Sequence, residues 1–118
     1  MTHRPMPQLS ARELAEFVQD PLAEGVILDV REAWELAKAR LDDPRVIHLP
    51  LSQLQRMEVS ALPDSIPTSQ KILVLCHHGQ RSALVTSWLR SNGLAQASNI
   101  EGGIAAYSRL SGVDLDSY

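Results

Sequence analysis

The sequence predicts an α/β fold, a short and mainly parallel five-stranded sheet covered by helices on both faces in three layers. Two apolar runs, VILDV after Gly25 and ILVL after Lys71, have the length of strands buried on both sides. Helix-forming stretches follow each of them, REAWELAKAR and SALVTSWLRS. The alternation continues through 118 residues, a length that suits one core. Strands alternating with helices need crossover connections and therefore pair in parallel.

Taken in order, Met1 to Leu9 holds two prolines and reads as an extended lead-in with an edge strand near Gln8 and Leu9. Ser10 and Glu13 have capping-box spacing, and Leu14, Phe17 and Val18 repeat on one helical face until Asp20-Pro21 ends the helix. Gly25 opens the next strand, which passes into the helix REAWELAKAR. Asp42-Asp43-Pro44 makes a turn into a strand over Val46 to Leu49, and Pro50 opens a brief helical segment over Leu51, Leu54 and Gln55. Residues 58–70 read as loop. Lys71 to Leu75 is a buried strand, and Ser82 to Ser91 is a helix with Ala83, Leu84, Trp88 and Leu89 on its buried side and Asn92-Gly93 as its stop. A strand at Ala97 to Ile100, a Glu101-Gly102-Gly103 turn and a helix from Ile104 to Leu110 complete the pattern. Trp34 and Trp88 are assigned to the core. Without repeats or a linker, residues 1–118 are expected to form one domain with its core at about 9–110.

Hydrophobic residues make up 44% of the chain and aromatic ones only 4%, so the core is mainly aliphatic. A net charge of -3 gives no general attraction to phosphate backbones or anionic lipid, which argues against nucleic-acid and membrane partners. The longest apolar run, Ile72 to Cys76, is far below the roughly 20 residues that span a bilayer. The start, MTHRPMPQLS, has no hydrophobic signal core, so the expected location is the cytoplasm.

The single cysteine, Cys76, cannot form an intramolecular disulfide. It falls at the carboxyl end of a predicted parallel strand, where ligands of such sheets bind. The following CHHGQR must reverse direction within a few residues, and Gly79 supplies the backbone freedom. A loop curled around its first residue turns successive N–H groups inward, and the start of the Ser82 helix adds positive potential. Such a setting stabilises a thiolate. Arg81 is the strongest cation in the loop, and His77 and His78 add charge when protonated or present ring edges to a substrate. The bland reading treats Cys76 as a small core hydrophobe and the histidines as solvated loop residues. A zinc site at Cys76, His77, His78 and His48 lacks the usual ligand spacings, and neither a metal nor a cofactor is expected.

From about Leu9 to Tyr107 the chain resembles the single-domain rhodaneses, the thiosulfate sulfurtransferase-like family. Three segments carry the resemblance: LDVRE at Leu28 to Glu32, CHHGQRS at Cys76 to Ser82, and EGGIAAY at Glu101 to Tyr107. It implies that Cys76 is a sulfur-accepting nucleophile that carries sulfur as a persulfide. It also implies that His77, His78, Gly79, Gln80, Arg81 and Ser82 form the substrate-binding loop, with Arg81 on the donor's anionic group. The chemistry is consistent: a thiolate attacks the outer sulfur of thiosulfate, sulfite leaves, and a second thiophile removes the sulfur, all without a general base. Implied partners are a small anionic sulfur donor and a protein sulfur donor or acceptor.

Asp29 and Arg31 in LDVRE are expected to brace the loop. Alternatively, Asp29 only accepts backbone N–H groups and Arg31 pairs with Glu101 or Glu32. Gly102 and Gly103 let the last turn pass close to the loop. The chain departs from the family at ARLDDPRVIHLPLSQL, where a Gly-His-Ile-x-Gly-Ala pattern ending in Asn-Ile-Pro is common and only the Leu49-Pro50 ending is kept, and at Tyr107, where tryptophan is common. A cysteine phosphatase or arsenate reductase of related fold would need Cys-x5-Arg, whereas Cys76 to Arg81 is Cys-x4-Arg. A noncatalytic rhodanese-like interaction module is the other alternative.

Overall fold

The computed structural model describes residues 6–58, 61–64, 66 and 68–112. Its strands are β1 (Gln8–Leu9), β2 (Gly25–Asp29), β3 (Val46–His48), β4 (Lys71–Leu75) and β5 (Ala97–Ile100). Its helices are α1 (Ala11–Gln19), α2 (Ala33–Lys38), α3 (Leu51–Leu54), α4 (Gln80–Ser91) and α5 (Gly103–Ser111). The strands form one sheet in the order β1-β5-β4-β2-β3, and every neighbouring pair is parallel. The predicted α/β architecture is therefore present, and the sheet is wholly rather than mainly parallel. The predicted lead-in at residues 1–5 lies outside the described residues, as do parts of the 58–70 loop.

Alternation along the strands divides the aliphatic side chains between two cores. Leu28, Ile72 and Val74 pack with Leu54 of α3 and with Val85 and Leu89 of α4. Ile27, Leu73 and Leu75 face the other way, onto Leu14 and Phe17 of α1 and Ile104 of α5. Each such side chain, fully buried, stabilises the fold by roughly 1.5–3 kcal/mol. Central strand β4 shares this burial on both faces, which explains its uninterrupted apolar run.

The helix ends follow local chemistry. The Ser10 hydroxyl accepts from the Glu13 N–H and the Glu13 carboxylate accepts from the Ser10 N–H, completing the predicted capping box. At its other end α1 has no basic residue in the last turn. Arg45 fills that role from a distance: Nη2 donates to Phe17 O at 3.0 Å and Nη1 to Asp20 O and Ala23 O at 2.9 and 3.0 Å. Its guanidinium lies 4.1 Å over the Phe17 ring and pairs with Asp43 at 2.8 Å. The segment that departs from the family pattern thus serves as a staple between β3 and α1.

Two core assignments are corrected. The buried face of α4 is Ser82, Val85, Thr86 and Leu89, leaving Leu84 67% exposed. The helix is rotated because Ser82 turns inward toward Cys76 and Asn99, and the Thr86 hydroxyl donates to Ser82 O. Trp34 is 61% exposed, because the inward position of α2 belongs to Glu35. Trp88, half-buried, does pack against the core. α4 also begins earlier than predicted, at Gln80 behind a left-handed Gly79 with φ +94°.

Candidate active site

Strand β4 ends at Leu75 and delivers Cys76 to the carboxyl edge of the sheet, buried at 1% exposure. Its sulfur accepts from the Gly79 N–H at 3.0 Å and lies 3.2 Å from Ser82 Oγ. The Cys76 and His77 carbonyls turn outward and accept from the first amides of α5, those of Ile104 at 2.9 Å and Ala105 at 3.0 Å. In a trans peptide the N–H opposes the carbonyl, so the amides of His77 and His78 turn into the loop. The Gly79 amide reaches the sulfur itself.

Gly103 makes this docking possible. Its φ is +61°, and a Cβ built on it would overlap the Cys76 and His77 carbonyl oxygens. The predicted close passage of the Gly102-Gly103 turn is therefore present. His77 is half-buried and His78 exposed, with ring centroids 3.9 Å apart, and Gln80 is exposed on the same rim.

Arg81 stands in the first turn of α4 with its side chain 33% exposed. Nη1 and Nη2 donate to the two carboxylate oxygens of Glu35 at 2.6 and 2.7 Å, a bidentate pair that the sequence reading missed. Glu35 is buried and also accepts from the Glu32 N–H at 2.8 Å. Burial pushes its carboxyl up, but the Arg81 hydrogen bonds, the Glu32 N–H and the positive charges of Arg81 and Arg31 together hold it below the usual carboxylate value. Glu32 and Glu35 have capping-box spacing, a signal from which an inward Glu35 was recoverable.

Asp29 and Arg31 are brought together with each other. Arg31 is fully buried, its Nη2 and Nε donate to Asp29 at 2.8 and 3.0 Å, and Nη1 donates to Ala39 O at 2.8 Å. The carboxylate that the guanidinium meets here is that of Asp29, two residues before it. Asn99 is the second residue missed: it lies mid-strand in β5, 3% exposed, and accepts from Ser82 Oγ at 2.5 Å. A polar residue within a strand expected to be buried was its signal. Among the described residues no group of three or more His, Cys, Asp or Glu side chains converges as a metal site, and no helix is long and apolar enough to cross a membrane.

The rhodanese-like domain model matches residues 10–110. The chain belongs to the rhodanese-like domain family. The chain is 35% identical over 88% of its length to a chloroplastic rhodanese-like/PpiC domain-containing protein 12 of Arabidopsis thaliana, and 30% identical over 66% to a putative sulfur carrier protein, YrkF, of Bacillus subtilis. It spans 34% and 38% of those two relatives. A sulfurtransferase of Allochromatium vinosum is 25% identical over 86% of this chain and 88% of its own. Among solved structures, a rhodanese-like domain protein of Staphylococcus aureus superposes with a TM-score of 0.71 at 27% identity, covering 86% of this chain and 91% of that one. The single-domain sulfurtransferase RDL2 of Saccharomyces cerevisiae gives 0.75 at 20% identity over 98% of both chains, a likeness of fold.

Proposed function

We propose that this chain acts as a single-domain, cytoplasmic sulfurtransferase. Cys76 takes a sulfane sulfur from a donor such as thiosulfate, holds it as a persulfide and passes it to a thiophile. That thiophile is cyanide in vitro and a thiol or protein in the cell. The observation that carries this reading is the Gly79 N–H donating to Cys76 Sγ at 3.0 Å, inside a loop whose outward carbonyls are pinned by α5. The names sulfur carrier and sulfurtransferase borne by two relatives support it.

In the first half-reaction the thiolate attacks the outer sulfur of the donor. A new S–S bond forms, the bond to the sulfonate sulfur breaks, and sulfite departs with the electron pair. The persulfide's outer sulfur then carries the charge, and the amides of the cysteine loop stabilise it. Arg81 compensates the donor's anionic group from the loop edge while Glu35 fixes its orientation. Asp29 and Arg31 act one shell behind, holding the β2–α2 junction from which Glu35 projects. In the second half-reaction a thiophile attacks the outer sulfur, and Cys76 leaves as thiolate. The four residues between Cys76 and Arg81 favour a sulfur atom over a tetrahedral oxyanion.

The test is the intact mass of the protein after incubation with thiosulfate, and separately with a low-molecular-weight persulfide, beside Cys76→Ser. Gain of one sulfur on the wild type alone, removed by cyanide, is expected. No gain from either donor would favour the noncatalytic module and overturn the proposal.

A further inference from the structure

Behind the sulfur lies a short buried polar chain. Asn99 Nδ2 donates to Gly79 O at 3.2 Å and to Gln8 Oε1 at 3.0 Å. A backbone carbonyl only accepts, so the amide nitrogen must face Gly79, and Oδ1 must face Ser82. Oδ1 in turn only accepts, which places the single Ser82 hydroxyl proton on the 2.5 Å line to Asn99. Toward Cys76, 3.2 Å away, Ser82 therefore offers a lone pair. That suits an S–H donor and opposes a thiolate.

We propose that Asn99 is a positioning residue that holds the Ser82 hydroxyl turned away from Cys76 while the sulfur is protonated, and yields it when the sulfur becomes anionic. When the thiol proton leaves to solvent, the Ser82 O–H rotates from Asn99 Oδ1 to Sγ. This leaves Oδ1 short of a donor in a site where Asn99 is 3% and Ser82 0% exposed, so Asn99 biases the resting site toward the thiol. During discharge the acceptor attacks the outer sulfur and the S–S electron pair returns to Sγ. The hydroxyl then turns back to that leaving thiolate. Resting Cys76 is thereby kept less reactive than an unrestrained Ser82 hydroxyl would make it.

This deepens the sulfur-carrier reading, but its test reads the thiol directly, so failure of sulfur transfer and failure of the positioning role register separately. The rate of Cys76 alkylation by iodoacetamide, a neutral probe, is followed at pH 7 by mass in wild type, Asn99→Ala, Ser82→Ala and the double variant. Removing Asn99 frees the hydroxyl for a hydrogen bond to an anion, and alkylation is expected to rise roughly tenfold. Ser82→Ala slows it, and in that background Asn99→Ala has no further effect. An unchanged effect of Asn99→Ala without the hydroxyl would mean that it acts through Gly79 and loop position, and slower alkylation in the single variant would mean the same. Either result overturns the proposal. Asn99→Leu, which keeps the branched outline without the polar atoms, gives the same readout where the alanine variant fails to fold.

Discussion

Two arginine–carboxylate pairs stand within one helix of each other and do different work. Arg31 and Asp29 are two residues apart, both essentially sealed from solvent at 0% and 1% exposure. Arg81 and Glu35 are 46 residues apart, and only the carboxylate is sealed, at 3%, while the guanidinium is 33% exposed. The first pair closes a turn within one strand-to-helix junction, with Ala39 O as a further acceptor. The second ties the cysteine loop to α2 and leaves its cation facing outward. A charge sealed on all sides serves the fold, and one sealed on a single side stays in reach of solvent.

The largest expected effect is on the inner pair. Arg31→Ala strands Asp29 as a buried charge and is expected to destabilise the protein by about 3–5 kcal/mol, measured as a shift in the urea midpoint. Intact stability with lost sulfur loading would instead place Arg31 in the chemistry and erase the contrast. Next comes Arg81→Ala. Water reaches the vacated position, so stability falls by only about 1–2 kcal/mol. Single-turnover loading from thiosulfate, however, is expected to drop by roughly 10- to 100-fold. Loading from an uncharged donor such as a trisulfide should fall less, and equal losses on both would count against a role for Arg81 at the anionic group. Glu35→Gln sharpens the comparison, because it keeps the shape and removes the compensating charge. Thiosulfate loading is then expected to rise by roughly threefold through the stronger local field. A fall matching that of Arg81→Ala would show that the pair serves only as a brace.

The same contrast marks how much was legible in the sequence. The strands, the capping box at Ser10, the left-handed Gly79 and the turn at Gly102-Gly103 all follow from local period and turn chemistry, and the structure has them where the residues predict. The misplacements occur where a polar side chain takes an inward position that periodicity reserves for an apolar one. Glu35 displaces Trp34 and Ser82 displaces Leu84, because each of these inward groups has a partner supplied from elsewhere in the chain, while Thr86 bonds back to Ser82 O within its own helix. Such partnerships span 46 residues for Arg81 with Glu35 and 17 for Ser82 with Asn99, beyond the reach of any local pattern. Leu84, left at the surface, and half-buried Trp88 line an apolar groove with Leu51, Leu54 and Met57 along α3 and α4.

The smallest expected effect separates the pairs by acid. Glu35 titrates below the usual carboxylate value in the folded protein, so its ionised form contributes stability that is fully present above its unfolded value near 4.5. That contribution is lost as pH falls through the lower folded value. Urea midpoints measured from pH 7 down to pH 3 should therefore fall more steeply in the wild type than in Glu35→Gln, which has no carboxyl to protonate there. Asp43 is likewise held low, chiefly by its hydrogen bond from Arg45, and it contributes a slope of the same sign to both proteins. Subtracting the two curves isolates Glu35. A difference that does not change with pH would mean that the variant loses packing alone, and that the outer pair is held by shape and not by charge.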